Sequence, residues 1–252
     1  RKLIQENHLM FPPYKRFQDP PFLLNVMAHA KKFYAVNEVV YIYRMSNNRI
    51  HPNLTAVTDT LKGVRDCFQI SYEYNLTKPY EKCLKDILRQ YLWMIYPYAV
   101  EGQEDVWNLI CEINQISKKW RGEISEIFAD KVSLEAYIKK LKEKRSALIE
   151  KCYEEKEAVI YGAGRAGQYF LKKLEKEGIH IVGFAVSQDG AGNVVDGYVV
   201  KRIEDYNRRI PIMVAAAEKN AKEMIWNLEH LEFQTVLYMK YEDCILLDLC
   251  GL

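Results

Sequence analysis

The stretch Ala158-Val159-Ile160-Tyr161-Gly162-Ala163-Gly164-Arg165-Ala166-Gly167 joins a short apolar run to a helical pattern that begins near Gln168. Its glycines follow the spacing G-x-G-x-x-G between a predicted strand and a predicted helix, the context in which such a turn cradles a phosphate. Gly162 permits the tight turn, Gly164 lets backbone approach an anion closely, and Gly167 lets the helix lie on the strand. The helix start adds N–H groups without intrahelical acceptors and the positive end of the helix dipole. The plain alternative is a strand-to-helix turn that needs glycine for its own geometry.

Downstream of this turn, strand and helix patterns alternate. A helix over Gln168 to Lys176 leads through Gly178 to a strand over Ile179 to Val186. A Gly- and Asp-rich loop, Gln188 to Gly197, precedes Tyr198-Val199-Val200 and a short helix near Ile203. Ile212 to Ala216 reads as a strand, Ala221 to Leu231 as a helix and Thr235 to Tyr238 as a last strand. Such alternation predicts an α/β fold, a small parallel sheet with helices on its faces and right-handed crossovers. The unit, residues 156–252, is nearer to half of a full dinucleotide-binding fold than to a whole one.

The residue types around the turn narrow its ligand. NAD binding needs an Asp or Glu at the end of the second strand to hold the ribose hydroxyls. Here that strand ends in Ser187, and the first acid, Asp189, lies in the loop beyond. Tyr198 is followed four residues later by Arg202, so the Tyr-x-x-x-Lys pair of a short-chain dehydrogenase is missing. NAD is therefore disfavoured, and no acid or base for hydride chemistry is visible. Arg165 either faces an anionic ligand or is a solvated arginine at a helix start. The candidate binding residues are Gly162, Gly164, Arg165, Ala166, Gly167 and Ser187.

Upstream, residues 53–155 carry helical periodicity. Leu61, Val64, Cys67, Phe68 and Tyr72, then Leu84, Ile87, Leu88, Tyr91, Leu92 and Ile95, fall on apolar stripes. Val106, Leu109, Ile110, Ile113 and Ile116 form a third, and Leu134, Tyr137, Ile138, Leu141 and Leu148 a fourth. These read as a helical bundle or spacer. Residues 1–52 contain one short helix opened by Asp19-Pro20-Pro21, with Asp19 as its cap and Pro20 at its first position. An extended run, Val36 to Tyr43, follows as a strand or strand pair. His29 lies on the predicted helix, either lining a pocket or simply packed.

Composition sets the broad class. The 252 residues are 49% hydrophobic, enough to bury a sizeable core. The 36 basic and 34 acidic side chains nearly cancel, which excludes the basic footprint of a nucleic-acid binder. Six scattered cysteines without a C-x-x-C pair argue against a disulfide framework or zinc site and for a reducing cytoplasm. The apolar stretch Tyr91 to Val100 contains Pro97 and is far too short to span a membrane. Opening on Arg1 with no signal peptide, the sequence reads as a piece of a longer polypeptide.

Two resemblances sharpen these expectations. On VIYGAGRAGQ, IVGFAVS, GYVV and IPIMVAAAEKNAKEM, residues 156–252 resemble the small Rossmann-like modules of bacterial polysaccharide gene products. Such modules form the N-terminal part of sugar acetyltransferases and the C-terminal part of sugar C-methyltransferases. The resemblance implies a site for a nucleotide or nucleotide sugar.

On FQDPPFLLNVMAHAKKFYAVNEVVYIYRMS, residues 17–46 resemble the end of the catalytic domain of a family 2 glycosyltransferase. That implies an inverting transfer from a nucleotide sugar to a saccharide acceptor, with Asp19 as general base and Mg²⁺ or Mn²⁺ holding the donor diphosphate in the parent protein. No Asp-x-Asp occurs in this sequence, so it is expected to carry the base and lack the donor site. The expected setting is surface polysaccharide synthesis in the cytoplasm, with peripheral membrane association through the parent and a homo-oligomer as further possibilities. The competing expectations are a nucleotide-sensing module without catalysis and an NAD(P)-dependent sugar-modifying enzyme.

Overall fold

The computed structural model describes residues 1–39, 42, 53–76, 84, 87–188 and 190–252. These form two compact units, Arg1–Tyr137 and Ile138–Leu252. The first is helical. The second is a mixed α/β unit built on a six-stranded, mostly parallel sheet.

In the first unit the described helices are α1 (Lys2–Glu6), α2 (Asp19–His29), α3 (Leu54–Glu73), α4 (Ile87–Gln90), α5 (Leu92–Val100) and α6 (Glu104–Arg121). Helix α7 (Lys131–Glu155) begins here and continues into the second unit. Asn53 caps α3, its Oδ1 accepting from the Ala56 amide at 2.9 Å, and Gly122 closes α6 in the left-handed conformation. Val57, Leu61, Val64 and Phe68 of α3 and Val106, Ile110 and Ile113 of α6 are buried, as their helical spacing predicts. Asn114, also buried, donates to the Phe128 carbonyl and accepts from the Ser125 amide, so it holds the chain that leaves α6.

A second stripe on α3 is polar and equally structural. Asp59, Gly63 and Asp66 follow i, i+4, i+7 spacing and receive the segment before α2. Asp59 accepts from the Lys15 amide at 3.0 Å, and Asp66 accepts from the Tyr14 hydroxyl at 2.8 Å. A Cβ at Gly63 would stand 2.5 Å from the Phe17 carbonyl oxygen. Periodicity alone reads these three residues as a solvated face.

The second unit contains β1 (Glu157–Tyr161), α8 (Arg165–Lys176), β2 (His180–Val186), β3 (Val194–Val195), β4 (Tyr198–Arg202), β5 (Ile212–Val214), α9 (Glu218–His230), β6 (Val236–Tyr238) and α10 (Tyr241–Leu249). The strand order is β3-β4-β2-β1-β5-β6. The chain moves outward from β1 to β2 and β4, then returns to lay β5 against the other side of β1. Residues Val159, Tyr161, Ala185 and Val214 on one face pack with Ala221 and Leu228 of α9. Period two turns Ile160 and Phe184 to the other face, where α8 meets β1 and β2.

Several local expectations are revised. Helix α8 starts at Arg165, before Gln168, because Gly164 is its cap residue. The loop after β2 contains a hairpin, Val194–Val195 against Tyr198–Arg202, closed by Asp196 and Gly197 with φ of 47° and 86°. That is the Asp-Gly turn whose twist suits paired strands. Helices α1 and α10 fall outside the predicted elements. Of the strand expected over Val36 to Tyr43, residues Val36–Val39 and Ile42 have no strand structure, and the remainder lies outside the described residues.

Helix α10 is fastened by Asp248, which accepts from the Tyr169 hydroxyl at 2.7 Å and pairs with Lys173 and Arg145. It also buries Cys244, whose thiol is pushed up to about 12 mainly by desolvation, with the Asp243 and Asp248 charges adding to the rise. Burial likewise pushes the Cys152 thiol up to about 11. A thiol whose folded pKa is raised stabilises the fold below its unfolded pKa and loses that contribution as pH rises toward the folded value. Urea melts followed from pH 8 to 11 are expected to show stability falling above about pH 9, by up to about 1.4 kcal/mol per pH unit for each such thiol. Cys244→Ala should flatten that slope, and an unchanged slope in the variant would refute the assignment.

Candidate functional site

The glycine turn leaves β1 at the place where the sheet reverses its winding, between β2 on one side and β5 on the other. In open sheets of this kind the crevice beyond the strand ends at such a reversal is the usual ligand site. Two of the three glycines are required by the protein's own backbone. Gly162 has φ of +117°, and a Cβ there would stand 2.4 Å from the Ala215 carbonyl oxygen. At Gly167 a Cβ would lie 1.9 Å from the Gly162 carbonyl oxygen and 3.1 Å from the Phe184 ring. The turn thus folds back on its own helix.

Gly164 is different. It caps α8 with φ −84° and ψ −162°, values open to any residue, and nothing lies within 4 Å of a Cβ built on it. Serine or aspartate would serve the helix slightly better at this position, since a side-chain oxygen there would take one of the amide protons left over at the helix start. The first bond that closes α8 runs from the Gln168 amide to the Gly164 carbonyl at 3.0 Å. The amides of Arg165, Ala166 and Gly167 therefore have no intrahelical acceptor. Arg165 is exposed at the first helical position, and Ala166 is partly buried behind it.

Beside the turn, three polar side chains meet. Tyr161, 1% exposed at the end of β1, places its hydroxyl against the Ser187 hydroxyl at the end of β2. Asn227 of α9 donates to the same phenol oxygen at 3.1 Å. The Tyr161 and Ser187 hydroxyls share a hydrogen bond in which either can donate. The second strand is thus followed by a hydroxyl rather than a carboxylate. Sequence reasoning found Ser187 and missed Tyr161 and Asn227. The available signal was a tyrosine ending an otherwise aliphatic strand, because a buried phenol calls for a partner. Asp189 lies outside the described residues.

In the first unit, Asp19 is the first residue of α2, exposed, and makes no side-chain capping bond; Gln18 takes the cap position. Pro20 is correspondingly at the second helical position. His29 is bonded at both ring nitrogens, to the Asn25 carbonyl at 2.9 Å and to the Tyr74 hydroxyl at 3.1 Å. Tyr41, Tyr43 and Arg44 lie outside the described residues. Among the described residues no group of three His, Cys, Asp or Glu side chains could hold a metal ion, and no helix is long and apolar enough to cross a membrane.

The different demands on the three glycines are separable by thermal melts. Gly162→Ala and Gly167→Ala are expected to cost about 3 kcal/mol or more, because backbone rather than a flexible side chain must give way. Gly164→Ser should melt at or slightly above the parent temperature. Equal losses at all three positions would show that Gly164 too is required by the fold.

Compared with family models, with curated proteins and with solved structures, the chain matches none.

Proposed function

We propose that residues 156–252 are a Rossmann-like module that binds a nucleotide or nucleotide sugar through the turn Gly162–Gly167. Leaving aside the hairpin strand β3, the order β4-β2-β1-β5-β6 agrees with the first five strands of a doubly wound dinucleotide fold, 3-2-1-4-5. The observation that carries the reading is Gly164. The fold has room for a side chain there and α8 would gain from one, so the missing side chain is accounted for by a group that approaches from outside.

In this reading a diphosphate sits over the start of α8. The amides of Arg165, Ala166 and Gly167 donate to its oxygens, and the helix dipole favours its charge. The Arg165 guanidinium adds a charge-assisted contact from the rim. Ser187 presents a hydroxyl, shared with Tyr161, to the ligand. An acid at that position would accept from both hydroxyls of an adenosine ribose, and a single neutral hydroxyl holds them less well. This weighs against NAD.

Titration calorimetry of the chain against UDP, CDP, UDP-sugars, NAD and S-adenosylmethionine tests the module. At least one nucleotide or nucleotide sugar is expected to bind, and Gly164→Ser to weaken it at least about tenfold, a loss of about 1.4 kcal/mol, without lowering the melting temperature. Tight NAD binding abolished by the same change would replace this reading with the NAD(P)-dependent one. Absence of any binding would leave the turn as scaffold.

The second reading concerns the first unit, and the exposed, uncapped carboxylate of Asp19 favours it. In a longer parent that transfers a sugar with inversion, Asp19 takes the proton from the acceptor hydroxyl as that oxygen attacks the anomeric carbon of the nucleotide sugar, and the anomeric C–O bond to the nucleoside diphosphate breaks, releasing the diphosphate. Among the described residues no group of carboxylates fits the Mg²⁺ or Mn²⁺ expected of the parent. Asp19→Asn in the parent is expected to lower kcat at least about a hundredfold with little change in donor KM. A parent enzyme that keeps its turnover after this change does not use Asp19 as its base.

A further inference from the structure

Arg202 ends β4 at the rim where the parallel strands finish, two strands away from the glycine turn. Its neighbours fix the face on which it stands. Tyr198, at the start of the same strand, donates to Glu175 of α8 at 3.0 Å and meets the Phe184 ring edge to face. Val200, 1% exposed, pairs with Phe184. Lys201 turns the other way, over the Tyr206 ring at 5.7 Å. Period two therefore returns Arg202 to the face that α8 covers, where the start of that helix and its unclosed amides also lie.

The register sets its distance from the turn. Arg202 pairs with Val186 of β2, and Gly162, which continues β1 and donates to the Ala185 carbonyl at 2.9 Å, stands level with Val186 on the other side. Two strand spacings of roughly 4.8 Å put the Arg202 Cα about 10 Å from that of Gly162. Arg202 is exposed, and among the described residues its guanidinium makes no ion pair or hydrogen bond, with Glu204 and Asp205 next in the chain included. Between the two positions, β2 is followed by neutral Ser187, so no carboxylate there repels a second anion.

A diphosphate over the start of α8 thus has a further cation on the same face, across one strand. In a ribonucleotide a single ribose separates the 5′-phosphates from a phosphate on the 2′ or 3′ oxygen, and the length of an arginine side chain closes the remaining gap. A phosphate monoester carries about −1.5 to −2 charge at pH 7, which a guanidinium meets with two parallel N–H donors. Ser187 stands where an acid would hold unmodified ribose hydroxyls, and an arginine near that position suits a phosphorylated ribose instead. We infer that the ligand of this module is a ribonucleotide phosphorylated on its 2′ or 3′ oxygen, and that Arg202 selects it. The inference rests on the nucleotide reading and narrows it.

Titration calorimetry of the full chain with the 5′-monophosphates of adenosine and uridine, and with the 2′,5′- and 3′,5′-bisphosphates of both, decides it. At least one bisphosphate is expected to bind at least about tenfold tighter than its monophosphate, and the two bisphosphate series tell the 2′ from the 3′ position. Arg202→Gln should remove that advantage and leave monophosphate binding within about twofold. Arg209→Ala removes the same charge just before β5, at the opposite end of the strands, and should leave the advantage intact. Gly164→Ser should weaken both ligands and preserve their ratio. Monophosphates that bind as tightly as bisphosphates, or an advantage that survives Arg202→Gln or is lost equally with Arg209→Ala, overturn the inference and leave the nucleotide reading in place. Failure of every nucleotide to bind overturns both.

Discussion

The carbonyl oxygen of Gly162 occupies the space that a side chain at residue 167 would need. This single contact between the two ends of the turn brings α8 down onto β1 and β2. The approach directs the unclosed amides of the helix start to the edge of the sheet where its winding reverses. Packing follows from it. Phe184 lies against the first turn of α8, and Tyr161, one residue before Gly162, is carried to the opposite face, where α9 covers it. Any larger group at residue 167 would lift the helix and disperse the amides together.

The polar trio of Tyr161, Ser187 and Asn227 answers a different physical demand. A tyrosine that is 1% exposed must satisfy its hydroxyl inside the protein, and partners from β2 and α9 do so. The same arrangement holds the Ser187 hydroxyl at the rim of the candidate site. A second buried phenol, Tyr206, donates to the Phe184 carbonyl at 3.0 Å and passes over Gly183, where a Cβ would stand 2.5 Å from its oxygen. Stability and site chemistry are thus joined through hydroxyls that span neighbouring elements. In the helical unit the corresponding role falls to Asp59, Gly63 and Asp66, which bind the entry segment of α2 along one face of α3.

Much of this fold was legible in the sequence because apolar spacing reports which face of an element is buried. The stripes of α3 and α6 and the alternation from Glu157 onward are direct consequences of burial on one side, and the observed elements follow them to within a few residues. The hairpin of β3 and β4 was written in Val194-Val195-Asp196-Gly197-Tyr198, yet a run of glycines before it masks the pattern. Helix α10 escaped because part of what holds it is polar: Asp248 reaches Tyr169, Lys173 and Arg145, residues far away in the chain.

By itself the sequence determined that a glycine turn lies between a strand and a helix, that the chain carries almost no net charge, and that Ser187 stands where a ribose-binding acid would otherwise be. Those properties are local, since each depends on residue type and short spacing. Only the tertiary structure decided which glycine the fold does not need, because that depends on which atoms from distant segments surround each Cα. It alone brought Asn227 to Tyr161 and Tyr14 to Asp66. Such meetings are set by the crossing of elements, and no pattern within one element encodes them.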